Sequence, residues 1–255
     1  MLRNMLKGRN AYKIAAFFTL LLVAVLFSAI SLVAAGAAPT AKVAFVEGKA
    51  TFAEGRAGEA KPLAVGTVLS AEHYVDTEAD GKVEIKFGDG SVMRIAPNSK
   101  IKMKSLLAEG DGKKRDVGVK VEAGKIWATV SKAVGSDAKF EVETDNAVAG
   151  VRGTIFRVEL ADDQATVVKV YTGAVAVNNA PIYKKEGDTR ENRRQVQGPT
   201  QVTKQQWEEL IAQAMQEIRV SSAGQMGKPT AINADAEKND EWVKWNKARD
   251  KAKGR

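Results

Sequence analysis

The sequence predicts an all-β domain of short antiparallel strands, a sandwich or a β-solenoid-like stack. A membrane or signal helix precedes it and two α-helices follow it. Three observations carry this. Residues alternate apolar and polar with period two in many segments between Ala41 and Asn179, the mark of strands with one buried face. Turn residues separate those segments at roughly 8–12 residue intervals with no long helical pattern between them, which disfavours a parallel α/β sheet. The flanks differ: an uncharged run occupies Ile14 to Ala35, and a helical period appears after Thr203.

Within the β region, Val43, Phe45 and Ala50 to Phe52 open the series, and Val83, Ile85 and Phe87 share one face. Gly88-Asp89-Gly90 supplies the positive φ that a hairpin needs. Ser91 to Ile95 returns, Pro97-Asn98-Ser99 turns again, and Lys100 to Lys104 alternates. After a polar loop at Glu109 to Lys114, Val117, Val119 and Val121 form the cleanest alternating strand, and Ala123-Gly124 turns it into Ile126, Ala128 and Val130. Phe140 to Val158 holds two alternating segments around Gly150-Val151-Arg152-Gly153-Thr154. Glycines there permit a sharp reversal or a close approach of two segments. Val167 to Tyr171 and Ala174 to Val177 close the region around Thr172-Gly173.

The amino-terminal flank gives an address. Arg3, Lys7, Arg9 and Lys13 form a basic lead without an acid, and about 22 uncharged residues follow, Ile14 to Ala35, long enough to span a bilayer. Positive charge ahead of such a run holds the start in the cytoplasm and sends the remainder across. Ala35-Gly36-Ala37 is a small-x-small site that a signal peptidase could cut, whereas the length of the run favours a retained anchor. Both forms, cleaved and anchored, stay open. The chain divides into a signal or anchor segment (1–38), a β domain (41–180), a charged linker (181–202) and a helical tail (203–255). In the tail, Thr203 and Gln206 make a capping box, and Trp207, Leu210, Ile211, Ala214 and Ile218 share a helical face. A second helix is expected from Asp235 to about Lys251, with Trp242 and Trp245 one turn apart.

Composition limits the chemistry. The chain has 255 residues, 44% hydrophobic, enough for one substantial domain with appendages. Cysteine is absent, which excludes disulfides, thiolate metal sites and a cysteine nucleophile. None of HExxH, GxSxG and GxxxxGK[ST] occurs, and His73 is the single histidine. Asp111 with Asp116, and Asp162 with Asp163, lack the spacing of a calcium loop and read as solvated turns. No catalytic, cofactor or metal residue is therefore assigned, and no enzyme is expected. The net charge is +8, with excess near Lys184 to Arg194 and Lys244 to Arg255. On an exported chain such a surface faces water, anionic lipid, a wall polymer or an acidic partner rather than nucleic acid. Arg152 reads either as a structural guanidinium where strands meet or as an anion contact at a domain edge. Trp207, Trp242 and Trp245 either pack the tail on the sheet or offer a partner or glycan surface.

Several segments together resemble the FecR-like domain. They are Asp76-Thr77, Gly81-Lys82-Val83-Glu84-Ile85, Phe87-Gly88-Asp89-Gly90-Ser91, Ala123-Gly124-Lys125-Ile126-Trp127 and the Phe140 to Val158 stretch. The resemblance spans about Ala41 to Asn179. It implies an all-β module outside the inner membrane; the best-known members pass signals from outer-membrane iron transporters to a sigma factor. It also implies that Gly150, Val151, Arg152, Gly153 and Thr154 are a family motif, read here as structural. Those members carry a cytoplasmic domain before the membrane helix, whereas only Met1 to Lys13 precedes the apolar run here. That stretch is too short to fold or to hold a sigma factor, which counts against direct sigma-factor regulation and leaves open whether a sigma-factor pathway is involved. What is expected is envelope signalling, sensing or scaffolding through an envelope protein, with the inner membrane as a further contact if the anchor is retained. The alternative is a cell-wall or polysaccharide-binding protein.

Overall fold

In a computed structural model, residues 41–108, 115–131, 139–151, 153–179 and 211–254 are described. Two nine-stranded sheets form, and their inward side chains share one apolar core. Sheet A runs in the order β18 (Thr230–Ala231), β17 (Gln216–Val220), β14 (Thr166–Thr172), β13 (Ile155–Leu160), β10 (Lys125–Thr129), β7 (Val92–Ile95), β6 (Lys82–Phe87), β1 (Ala41–Glu47), β4 (Val68–Leu69). Sheet B runs β16 (Ile211–Gln213), β15 (Ala174–Asn179), β12 (Ala147–Val151), β11 (Lys139–Glu143), β9 (Arg115–Ala123), β8 (Ser99–Ala108), β5 (His73–Thr77), β2 (Ala50–Glu54), β3 (Lys61–Pro62). The chain moves along both sheets together, from the β3/β4 edge to the β16/β18 edge. A sandwich whose strands are laid down nearly in chain order reconciles the two architectures the sequence allowed. The pairing is antiparallel except between β9 and β11, which run parallel.

Alternation accounts for the core. Val83, Ile85 and Phe87 of β6 point inward and are at most 3% exposed, as are Val117, Val119 and Val121 of β9. Phe87 of sheet A meets Phe140 of sheet B edge to face, 5.5 Å between ring centroids, a favoured geometry because a ring's positive edge meets the other's negative face. The Gly88-Asp89-Gly90 turn forms as expected. Gly90 takes φ +84, the Phe87 amide donates to Ser91 O at 2.9 Å, and the Ser91 amide donates to Asp89 Oδ1 at 3.1 Å.

The glycine-rich motif is the crossing from sheet B to sheet A. Gly150 and Val151 end β12, and Gly153-Thr154 lead into β13. Gly153 has φ +66, a left-handed conformation that costs any side-chain-bearing residue. Gly150 has no such need, since the nearest atom to an added Cβ is Ala176 O at 4.0 Å. Thr154 is buried, and its hydroxyl donates to Ala174 O at 3.1 Å. Arg152 lies outside the described residues.

The tail departs from expectation at its start. Among the described residues the helices of the tail are α1 (Ala234–Asn239) and α2 (Glu241–Ala252), divided at Asp240. The helix expected over Thr203–Ile218 is not formed where the chain is described: Ile211–Gln213 and Gln216–Val220 are strands. Thr203, Gln206, Trp207 and Leu210 lie outside the described residues, as do the apolar run 14–35 and the linker 181–202. The same residues fit a period of two, with Ile218 and Val220 fully buried. Strands β14 and β15 would otherwise expose unpaired backbone edges, and a β-branched segment beside such an edge gains more by completing the ladder than by coiling alone. Thus β17 pairs with β14 and β16 with β15, joined through Met215 at φ 64.

Gly153→Val is expected to lower stability by about 1–3 kcal/mol, read from the thermal unfolding of the full chain. An unchanged melting temperature would remove the conformational argument. A chain ending at Asn179 should self-associate in light scattering, because it bares β14 and β15 together.

Candidate functional site

The outward face of sheet A carries a cross-strand row that sequence inspection had not singled out. Register places Phe45 beside Glu84, Glu84 beside Arg94, Arg94 beside Trp127, Trp127 beside Arg157, Arg157 beside Lys169 and Lys169 beside Glu217. Each belongs to a different strand, so ladder pairing alone aligns them. Helices α1 and α2 lie along this row. From Asp240 to Arg249 a helix rises about 14 Å, and the three strand spacings from β13 to β6 also come to about 14 Å. The helix therefore bridges the middle of the row, from Arg157 on β13 to Glu84 on β6.

Arg94 is at the centre and is fully buried. Its Nε donates to Glu84 Oε2 at 2.9 Å, its Nη2 to Asp250 Oδ1 at 2.7 Å, and its Nη1 to Asn246 Oδ1 at 3.2 Å. Asn246 is held for this by its own Nδ2, which donates to Trp242 O at 2.7 Å. Trp127 Nε1 donates to the second Asp250 oxygen at 3.0 Å. Lys253 and Arg249 add further cations to Glu84. Burial pushes the Glu84 carboxyl up, but the hydrogen bonds and charges of Arg94 and Lys253 prevail and bring it down to about 2.

A second group sits toward β14. Arg157 donates to Glu159 Oε2 from Nε at 3.0 Å and to Asp240 Oδ2 from Nη1 at 2.8 Å. Lys169 Nζ donates to Glu237 Oε1 at 2.8 Å, and the Tyr171 hydroxyl donates to Glu237 Oε2 at 2.6 Å. Burial opposes ionisation of Glu237 and Asp240, yet the donors hold both below their ordinary values: Lys169 and Tyr171 for Glu237, the Arg157 charge for Asp240. Burial and the bond to Glu237 push Tyr171 upward. Asp240 also caps α2, its carboxylate accepting from the amides of Trp242 and Val243 at 2.8 and 3.2 Å, while its backbone amide closes α1 on Ala236 O at 3.1 Å, so one residue ends α1, starts α2 and ties both to Arg157 of β13.

Trp242 and Trp245 are brought together, stacked with centroids 5.1 Å apart. Trp242 packs with Ala96, Trp127 and Val243, and Ile155, which follows the glycine motif, adjoins this cluster. Trp245 has Phe45 at 5.9 Å and the Arg249 guanidinium at 4.8 Å from its ring. Both indoles are thus engaged in seating α2. Gly150, Val151, Gly153 and Thr154 lie at the sheet crossing, and Trp207 lies outside the described residues. His73 sits on β5 beside Phe52, its Nδ1 accepting from the Ser70 amide at 3.3 Å. Asp163 pairs with Arg219 at 2.6 Å, and Asp116 accepts from the Ser105 hydroxyl at 3.1 Å. Among the described residues no group of three His, Asp or Glu side chains could hold a metal ion, and no helix is long and apolar enough to cross a membrane.

The row was findable in part. Glu84, Arg94, Arg157 and Lys169 are charges with an apolar residue on either side in the strand, and Asn246 and Asp250 follow Trp242 at helical spacing. Their alignment needed the register.

Removing Arg94 leaves the buried Asp250 without a cation among the described residues and takes from Glu84 its fully buried partner. Arg94→Ala should cost about 3–5 kcal/mol in chemical denaturation; a loss within about 0.5 kcal/mol would show the row to be solvated. The pH dependence has a fixed sign. A carboxyl held below its unfolded value contributes fully above that value and loses its contribution as pH falls. For Glu84 the loss spans from 4.5 down to about 2. Glu84→Gln is expected to flatten acid unfolding in that window, monitored by tryptophan fluorescence.

Residues 73–176 match the family described as FecR protein. No match was found among curated proteins. Two crystal structures of a candidate anti-sigma factor from Parabacteroides distasonis ATCC 8503 are similar, at 18% identity, with TM-scores of 0.43 and 0.42. Each similarity covers 64% of this chain, and the chain spans 61% of the length of those proteins. Residues 73–176, from β5 into β15, are a FecR domain.

Proposed function

We propose that this chain is a non-enzymatic extracytoplasmic module that acts in envelope signalling, sensing or scaffolding through protein contacts. The observation that carries the reading is the FecR domain at residues 73–176 on a chain with a basic lead and an uncharged run from Ile14 to Ala35. That run either anchors the chain in the inner membrane or is removed on export.

The distribution of covered faces supports contact with a protein. The outward face of sheet A is occupied by α1 and α2. Among the described residues no helix covers the outward face of sheet B. There Tyr74 pairs with Lys102, and Lys102 with Lys120. Lys102 and Lys120 form ion pairs with Glu72 and Asp145 at 2.7 and 2.6 Å. Half-exposed ion pairs of this kind contribute little to stability, so they can exchange partners at small cost. Among the described residues Trp242 is buried and Trp245 is half-buried against Phe45 and Arg249, which favours the protein-contact reading over polysaccharide binding through these two rings.

A periplasm-dependent reporter fused to the carboxyl end of the full chain should be active; activity of a cytoplasm-dependent reporter at the same joint would overturn the placement. A photo-crosslinking residue at Lys120 should give a discrete protein adduct in cells, whereas the same residue at Lys251 on α2 gives none. Absence of an adduct from the sheet B face would overturn the assignment of that face.

A further inference from the structure

We propose that the corner of sheet A where the chain enters the fold, formed by Lys42, Val65, Val68 and Lys86, is a contact for an anionic bilayer surface. The inference rests on the anchored form of the placement above and adds the surface that meets the lipid.

Lys42 on β1 stands directly opposite Lys86 on β6. Like charges facing each other across strands are destabilising. Several other strand lysines have an acid as ion-pair partner, Lys82 with Glu47 at 2.7 Å, Lys100 with Asp76 at 3.3 Å and Lys120 with Asp145 at 2.6 Å, while Lys125 and Lys139 stand opposite Glu159 and Asp116 in register. Among the described residues neither Lys42 nor Lys86 has an ion pair, and both are exposed. Such a pair gains from an external anion.

Beside it lie two of the most exposed large apolar side chains of the described residues, Val65 at 63% and Val68 at 52%. Val68 is the register partner of Lys42, on the terminal strand β4. Lys42, Val65 and Lys86 line one open groove of about 460 Å³. Cations next to bare aliphatic groups are what a bilayer interface accepts: the ammonium groups meet lipid phosphates while the methyl groups enter the headgroup region.

Chain length puts this corner within reach. Residues 36–40 separate Ala35, the end of the uncharged run, from Ala41, the start of β1. Six steps of extended chain span at most about 20 Å. With Ile14 to Ala35 in the membrane, Ala41 cannot stand farther than that from the run's end, and Lys42 at most one residue farther.

The chain contains no cysteine, so a single introduced thiol reports one position. The full chain carrying Val68→Cys, labelled with bimane, is reconstituted into vesicles of phosphatidylglycerol or of phosphatidylcholine, each brominated high on the acyl chain. The expected result is loss of bimane fluorescence in phosphatidylglycerol, little loss in phosphatidylcholine, and recovery in the Lys42→Gln/Lys86→Gln variant. A label at Asp162→Cys, after β13 and five strands from β4, should keep its fluorescence in both. A carbonate wash separates the two claims. Chain that resists the wash with an unquenched Val68 label overturns the surface contact and leaves the anchor. Chain that washes off after a quenched reading overturns the anchor and keeps the contact. Chain that neither resists nor quenches overturns both. Equal quenching in the two lipids, or quenching unaffected by the lysine changes, overturns the anionic character of the site.

Discussion

A guanidinium removed from water must be surrounded by acceptors, and most of the architecture outside the core answers that requirement at Arg94. Its neighbours come from two sources. Glu84 belongs to the same sheet; Asn246 and Asp250 belong to a helix more than 150 residues later. The sheet therefore cannot satisfy its own central charge. The fold is complete only when the carboxyl-terminal segment arrives, and that segment has a single register in which Asp250 meets both Arg94 and Trp127. An apolar face would hold a helix as strongly but would let it slide or rotate; directional bonds to one carboxylate do not.

The tail contributes in a second way, through backbone rather than side chains. Strands β16 and β17 extend the two sheets at the same end, so one short strand–turn–strand segment covers the edges of both β14 and β15. The helices then return across the outward face of sheet A. Covering edges and covering a face are different tasks, and one segment of modest length does both. The FecR domain itself ends inside β15, at residue 176, and the segment from Ile211 supplies what its far edge lacks.

Much of this was legible in residue order, and the rest was not for definite reasons. The strands of the β region announce themselves through alternation, as in Val117, Val119 and Val121, and Gly88-Asp89-Gly90 specifies its turn chemically. The segment from Ile211 to Ile218 misleads because Ile211, Ala214 and Ile218 satisfy a helical stripe while Ile218 and Val220 satisfy a strand. Local pattern cannot choose between them; the waiting edges of β14 and β15 do. Trp242 and Trp245 were visible as one helical face, but Asn246 and Asp250 broke that face with polarity and hid its burial. The row from Phe45 to Glu217 draws on seven strands, and its existence depends on pairing register, which no single segment contains.

The course of α2 has a mechanical meaning. It begins at Arg157 on β13 and ends at Glu84 and Phe45, beside the strand through which the chain enters. The two ends of the folded unit are thus drawn to one side of sheet A. Tension between them would not be spread along the β ladders in shear. It would concentrate on the last turn of α2, where Lys253 and Arg249 hold Glu84, and would peel the helix turn by turn. Each turn lost strips a donor from Glu84 or an acceptor from Arg94, so the first bonds to resist are ionic ones rather than the ladders of the sheets.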